Sequence, residues 1–212
     1  MEWGREQLGF EPDREQALVL GSASKRGLLN CTRQWGKSTI AAAKAVYQAC
    51  TEPESLTLVV SPSARQSGEF VRKAEGFARR LGMRVKGDGD NAIPLKFPNQ
   101  SRIVGLPGNE PTVRGFSAVS LVLVDEASRV SDDLHKAIRP TLAVSSGTLW
   151  LMSTPFGSRG FFWKRGSGAG RNGCGCGRTS ARGLGEHIWR RRGRRWGRGG
   201  CGRSTCASLW IR

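Results

Sequence analysis

The chain has 212 residues, 38% of them hydrophobic, and a formal net charge of +17. That length supports one sizeable core, and that charge points to a polyanionic partner, nucleic acid first among them. The N-terminus is polar and charged, and no run of about 18 apolar residues occurs, so neither secretion nor a membrane span is expected.

In chain order the sequence predicts a strand over residues 28–31, an Ala-rich helix over 38–49 and a strand over 56–60. A helix follows over 64–81, with Phe70, Ala74, Phe77, Ala78 and Leu81 at helical spacing. A short strand near 93–97 precedes one over 101–106. Residues 121–124 are apolar without alternation, as in a strand buried on both faces. A helix over 132–142, with Ser131 as N-cap, and a strand over 148–152 close the series. Strands alternating with helices predict an α/β fold, a mainly parallel sheet flanked by helices, over residues 1–164. Cys31 and Cys50 read as incidental thiols of a cytosolic protein.

The composition changes at residue 165. Residues 1–164 hold 22 Lys and Arg against 16 Asp and Glu, a net of +6, whereas 165–212 hold 12 against 1, a net of +11. The tail lacks Lys, Asp, Pro, Val, Phe, Gln and Tyr, and shows no apolar periodicity, so it is expected to build no core. Two readings account for it. One is a disordered Arg/Gly arm that binds phosphates, with Trp189, Trp196 and Trp210 for stacking. The other, which the composition favours, is out-of-frame translation of a GC-rich gene. Cys174, Cys176, Cys201, Cys206 and His187 lack the paired C-x₂-C spacing of a zinc site.

Chemistry concentrates first in Cys31-Thr-Arg-Gln-Trp-Gly-Lys-Ser-Thr39, between a strand and a helix. A P-loop reads G-x-x-x-x-G-K-[ST], and only the first Gly is missing, replaced by Cys31. What such a loop supplies is backbone N–H groups at a helix N-terminus, which the replacement leaves intact. Gln34, Trp35, Gly36, Lys37, Ser38 and Thr39 are the candidate nucleotide-binding residues, Lys37 for the β/γ-phosphates and Ser38 as a Mg²⁺ ligand. The plainer account is a capped helix start in an unrelated fold. The second signal is Leu121-Val-Leu-Val-Asp-Glu126, a buried strand ending in two acids at the sheet's carboxyl edge. Asp125 is the candidate Mg²⁺ ligand and Glu126 the base that activates water. Both motifs in one α/β pattern imply ATP hydrolysis, although Asp-Glu after an apolar run also ends many solvated turns.

With these motifs in place, residues 10–164 resemble the N-terminal ATPase domain of a tailed-bacteriophage terminase large subunit. Phe10-Glu-Pro-Asp-Arg-Glu-Gln16 resembles the adenine-side motif, which implies that Gln16 reads the base. The RQ-x-GKST form resembles the terminase P-loop, in which Arg33 would sense the γ-phosphate. Segments 59–67 and 106–115 are similar to family loops, and Ser153-Thr154-Pro155 to the motif coupling hydrolysis to movement. Arg114 is a candidate arginine finger, acting on its own or a neighbouring subunit's nucleotide, or an ordinary loop arginine. Gln16 also reads as an exposed helix glutamine, and Ser153 and Thr154 as a polar strand end.

The resemblance implies a RecA-like ATPase motor using ATP and Mg²⁺ in the cytoplasm of a bacterial host cell. It also implies sequence-independent contact with double-stranded DNA, a homo-oligomeric ring, a portal protein and a small terminase subunit as partners, and no membrane. A nuclease domain with clustered Asp residues would follow residue 164, but only Asp132, Asp133 and Glu186 are acidic after Glu126, so no nuclease activity is expected. The strands that complete the domain would also be missing, leaving a bare sheet edge. The alternatives are a helicase-like translocase and an inactive, basic DNA-binding remnant.

Overall fold

The computed structural model describes residues 9, 11–85, 94–154, 156, 160–166 and 208–211. The elements, in order, are α1 (Arg14–Gly21), β1 (Arg26–Asn30), α2 (Lys37–Thr51), β2 (Leu56–Ser61), α3 (Ala64–Arg80), β3 (Leu95–Lys96), β4 (Arg102–Pro107), α4 (Glu110–Arg114), β5 (Leu121–Val124), α5 (Asp132–Thr141), β6 (Thr148–Ser153), α6 (Gly160–Gly166) and β7 (Ser208–Ile211). They form one sheet in the order β3-β4-β2-β5-β6-β1-β7. The five inner strands are parallel, and β3 and β7 are antiparallel edges.

The expected strands and helices are all present, each displaced by no more than a few residues. Ser131 caps α5, its hydroxyl accepting from the Leu134 N–H at 3.2 Å. Helices α4 and α6 were not anticipated, and α1 only in the reading of Gln16 as a helix glutamine. Helix α1 begins with a reciprocal cap, Asp13 accepting from the Gln16 N–H at 2.8 Å while Gln16 Oε1 accepts from the Asp13 N–H at 3.0 Å. Helix α6 runs to Gly166, just past the expected boundary at 164, and its first turn is fixed by Asp132 Oδ1, which accepts from the Phe161 N–H at 2.9 Å. The expected bare edge is also corrected, because β1 pairs along its outer side with β7. Backbone groups of an edge strand bond to any extended segment of matching length, so an apolar pattern is not required there. Ile93, and residues 167–207 with their four cysteines, lie outside the described residues. Among the described residues no helix is long and apolar enough to cross a membrane.

Strand side chains alternate between faces, and the core divides accordingly. Leu29, Val59, Leu121, Leu123, Trp150 and Met152 join the cluster under α2 and α3. Leu28, Leu58, Val60, Val122, Val124, Leu149 and Leu151 join the cluster with Leu134 and Ile138 of α5 and Phe161 and Phe162 of α6. Trp150, 1% exposed, holds the inner strands to the N-terminal helices. Its indole donates to the Ser24 carbonyl at 3.2 Å and carries the Lys44 ammonium over its face at 4.8 Å. Lys44 in turn donates to the Ser22 carbonyl at 2.7 Å, beyond the end of α1. Burial lowers the Lys44 pKa to about 8.

The indole lies across Gly27, where an added Cβ would sit 2.4 Å from the ring. Gly27→Ala is therefore expected to destabilise the fold by about 1–3 kcal/mol, since neither strand can withdraw from its neighbour. Urea denaturation checks this, and an unchanged midpoint would rule the clash out.

Candidate active site

The loop from Cys31 to Gly36 leaves β1 at the carboxyl edge of the sheet. Cys31 is anchored by its N–H, which donates to the Ser153 carbonyl at 3.0 Å. Its thiol is 1% exposed and pushed up to about 12 by burial, so it is a neutral core group and not a nucleophile. A short 3₁₀ turn over Arg33–Trp35 follows, and Gly36 then turns the chain into α2 with φ +85°. That left-handed conformation favours glycine. No side chain caps α2; the Thr39 and Ile40 N–H groups both donate to the Gly36 carbonyl at 3.0 Å, so the Lys37 and Ser38 N–H groups are the ones the helix start offers to the cleft. Lys37 is buried, and its ammonium donates to the Thr32 carbonyl at 3.3 Å.

Strand β5 brings the two acids to the same edge. The Asp125 N–H still donates to the Val60 carbonyl at 2.8 Å, and the chain then breaks at Glu126, whose φ is +47°. A non-glycine residue in that region holds about 1–3 kcal/mol of strain, typical of functional positions. Asp125 Oδ2 accepts from the Ser38 hydroxyl at 3.2 Å, joining the end of β5 to the loop after β1. Burial pushes the Asp125 carboxyl above the usual carboxylate range, and the charge of Glu126 adds to this. The Glu126 N–H, the Ser38 hydroxyl and Lys37 pull it partly back.

Strand β6 supplies the third part. Glu126 Oε2 accepts from Thr154 Oγ1 at 3.3 Å and Ser153 Oγ at 3.5 Å. Ser153 is fully buried, and its hydroxyl lies 2.5 Å from that of Ser128. The acid is thus tethered to the strand end that lies between the loop strand and its own.

These elements surround a cleft of about 470 Å³ lined by Arg33, Gly36, Lys37, Ser38, Thr39, Gln66, Lys73, Glu126 and Arg129. Six of the expected site residues line it: Arg33, Gly36, Lys37, Ser38, Thr39 and Glu126. Asp125 stands behind Ser38, and Ser153 and Thr154 behind Glu126.

Others lie elsewhere. The Trp35 side chain is buried in the core under α2, and Gln34 is exposed outside the cleft lining. A 3₁₀ turn points successive side chains about 120° apart, which gives Arg33 to the cleft and Trp35 to the core. Gln16 approaches from α1, its amide donating to the Trp35 carbonyl at 2.8 Å and lying 3.3 Å from where a Gly36 Cβ would be. Arg114 ends α4, exposed and outside this cleft. Pro155 lies outside the described residues.

The sequence reading missed Gln66, Lys73, Ser128 and Arg129. Gln66 and Lys73 are seven residues apart, two turns along one stripe of α3, while Ser67, Phe70, Ala74, Phe77 and Ala78 bury the other. That polar stripe was the available signal.

The site's donors are hard oxygens, a hydroxyl and a carboxylate 3.2 Å apart, which suit Mg²⁺. Four cations, Arg33, Lys37, Lys73 and Arg129, face the cleft against the single acid Glu126, an arrangement that attracts polyphosphate.

No family model matches the chain. It is 28% identical over 179 residues to the terminase large subunit of Thermus virus P23-45, covering 74% of this chain and 36% of that protein. The chain therefore spans about a third of the length of the curated relatives it matches. Among solved structures it is similar to the Thermus phage P74-26 large terminase ATPase domain, with TM-score 0.63 and 26% identity over 75% of this chain and 70% of that one. A large terminase from a thermophilic bacteriophage, solved in complex with ADP, shares the fold at TM-score 0.60 and 15% identity, over 71% of this chain and 40% of that one. The resemblance read from the motifs thus extends, in sequence and in fold, over about three quarters of the chain.

A buried acid with a raised pKa stabilises the fold only while protonated. For Asp125 that contribution is present below the ordinary value of about 3.9 and lost as pH rises through the raised one. Asp125→Asn is accordingly expected to melt at a higher temperature than the natural chain at pH 7 without nucleotide, the advantage shrinking on acidification. A lower melting temperature at pH 7 would refute this.

Proposed function

We propose that this chain is the ATPase motor portion of a phage terminase large subunit, hydrolysing ATP to drive double-stranded DNA into a procapsid. The observation that carries the reading is the Ser38–Asp125 hydrogen bond, which joins a P-loop helix start to the acidic strand end beside Glu126. The similarity to terminase large subunits supports it, and the helicase-like alternative is not favoured.

In this reading Ser38 and Asp125 would hold Mg²⁺, which would supply positive charge to the phosphates. Lys37 exchanges the Thr32 carbonyl for phosphate oxygens, and the first-turn N–H groups of α2 complete the cradle. Arg33 reaches the γ-phosphate from the loop. Glu126 takes a proton from the attacking water as the water oxygen bonds to the γ-phosphorus and the bond to ADP breaks. Ser153 and Thr154 orient that carboxylate and feel its change of charge, which supports a coupling role; Pro155 follows them in the motif. Gln16, packed beside Gly36, serves the adenine side.

Arg114 is exposed and away from its own cleft, which supports a finger acting on a neighbouring subunit's nucleotide in a ring. Contact with duplex DNA is through Lys and Arg to the backbone and independent of sequence. A portal protein and a small terminase subunit are the further partners, in the cytoplasm of a bacterial host cell. Residues 1–164 form the partial ATPase domain, and 165–212 a basic tail, of which residues 208–211 add an edge strand to the domain's sheet.

Lys37→Ala is expected to abolish the stabilisation that Mg-ATP gives against thermal unfolding. Glu126→Gln is expected to lower turnover by about 10²–10⁴-fold while Mg-ATP still binds. Phosphate release and thermal shift, measured on the same samples, check both. Unchanged turnover in Glu126→Gln would overturn the assignment of the base.

A further inference from the structure

The cleft has a basic wall that the motifs do not account for. Arg129 is the most informative part of it. It closes the 3₁₀ turn that begins after Glu126, and its N–H donates to the Glu126 carbonyl at 2.8 Å. Residues three apart in such a turn eclipse one another, so both side chains are presented to the same cleft. The Arg129 guanidinium also lies over the ring of Phe156, at 4.6 Å from its centroid.

Phe156 follows the Ser153–Thr154 strand end by two residues. Three sets of contacts therefore join the segment after β5 to the end of β6 and the residues beyond it: Glu126 to Ser153 and Thr154, Ser128 to the same two residues, and Arg129 to Phe156. The first two are hydrogen bonds between partly buried groups. The third is a cation–π contact between exposed side chains, with Phe156 41% exposed, and it is the weakest of the three. A guanidinium forms stronger, forked hydrogen bonds to phosphate than it does contacts to a ring.

We infer that Arg129 is a catalytic residue with two exclusive partners, the Phe156 ring and the terminal phosphate of a nucleoside triphosphate in this cleft. The inference rests on the nucleotide reading above. Its position three residues after the water-activating acid assigns it to the γ-phosphate rather than to the α- or β-phosphate. When Arg129 turns to the phosphate, Phe156 loses the Arg129 contact, so the segment after β6 registers whether the third phosphate is present.

The test is equilibrium binding of Mg-ATPγS and of Mg-ADP to the full 212-residue chain and its variants, by calorimetry. Arg129→Gln is expected to weaken Mg-ATPγS by about ten- to a hundredfold and Mg-ADP by less than about twofold. Phe156→Leu, which removes the competing ring, is expected to tighten Mg-ATPγS by about two- to fivefold, and to do nothing in an Arg129→Gln background. Arg129→Lys, with the charge but not the fork, is expected to fall between Arg129→Gln and the natural chain. Equal weakening of both nucleotides by Arg129→Gln would mean a structural role and overturn the inference, as would no effect on either. Unchanged or weaker Mg-ATPγS binding in Phe156→Leu would overturn the exchange of partners. If the natural chain binds neither nucleotide, or Lys37→Ala binds them equally well, the nucleotide reading itself fails. Binding that depends on Lys37 with discrimination indifferent to Arg129 sinks this inference alone.

Discussion

Everything at the site depends on β6 lying between β1 and β5. The P-loop strand and the acidic strand are not neighbours, and two strand spacings of about 4.8 Å separate them. Ser38 crosses that gap from the start of α2, and its hydrogen bond to Asp125 closes it. The gap leaves the carboxyl end of β6 directly beneath the place where the two motifs meet. The register, pairing Asn30 with Ser153 and Val124 with Leu151, sets Ser153 level with the end of β1 and two residues past the end of β5. A pair of hydroxyls there touches the acid without needing any loop to carry them.

The site is held at a cost in stability. Asp125 is a carboxylate in a poorly solvated place, Glu126 repels it from the next position, and Glu126 occupies a strained backbone conformation. Lys37, the nearest cation, is engaged with a loop carbonyl. Such an arrangement is relieved by any ligand that brings positive charge to Asp125 and negative charge to Lys37. A metal–polyphosphate does both at once. The strain and the binding preference are two aspects of one charge distribution.

Much of this was legible in the sequence because a parallel strand buried on both faces writes itself as an unbroken apolar run. Residues 121–124 and 148–152 were recognisable for that reason, and the GKS and DE residues at strand ends located the cleft. The short helices were not legible. Helix α4 has five residues and includes a proline, and α6 begins at a glycine, so neither offers a period long enough to read. The side-chain directions of Trp35 and Gln34 were not legible because a motif names positions along the chain, whereas a 3₁₀ turn sends successive side chains about 120° apart. Lys73 and Arg129 were invisible for the complementary reason. Surface cations are common, and only the packing of α3 and the turn after Glu126 reveals which of them face the cleft. The tail was expected to form no core, and the one described strand in it, β7, adds backbone pairing at an edge.

The same strand order bears on the timing of folding. Strand β1 is made early, yet its partner β6 ends at Ser153, more than a hundred residues later in synthesis. Until that segment is available, β1 has no parallel neighbour, the Cys31 N–H has no Ser153 carbonyl, and Trp150 is not there to cover Gly27. Pairing of such sequence separation closes a long loop, and it forms late because the entropy of closure comes before the contacts. The strands β2, β4 and β5, nearer one another in the chain, can assemble first into half a sheet. The nascent protein thus acquires its phosphate loop's framework only with the last of its inner strands, and nucleotide binding arises with the completed sheet rather than with the motif that names it.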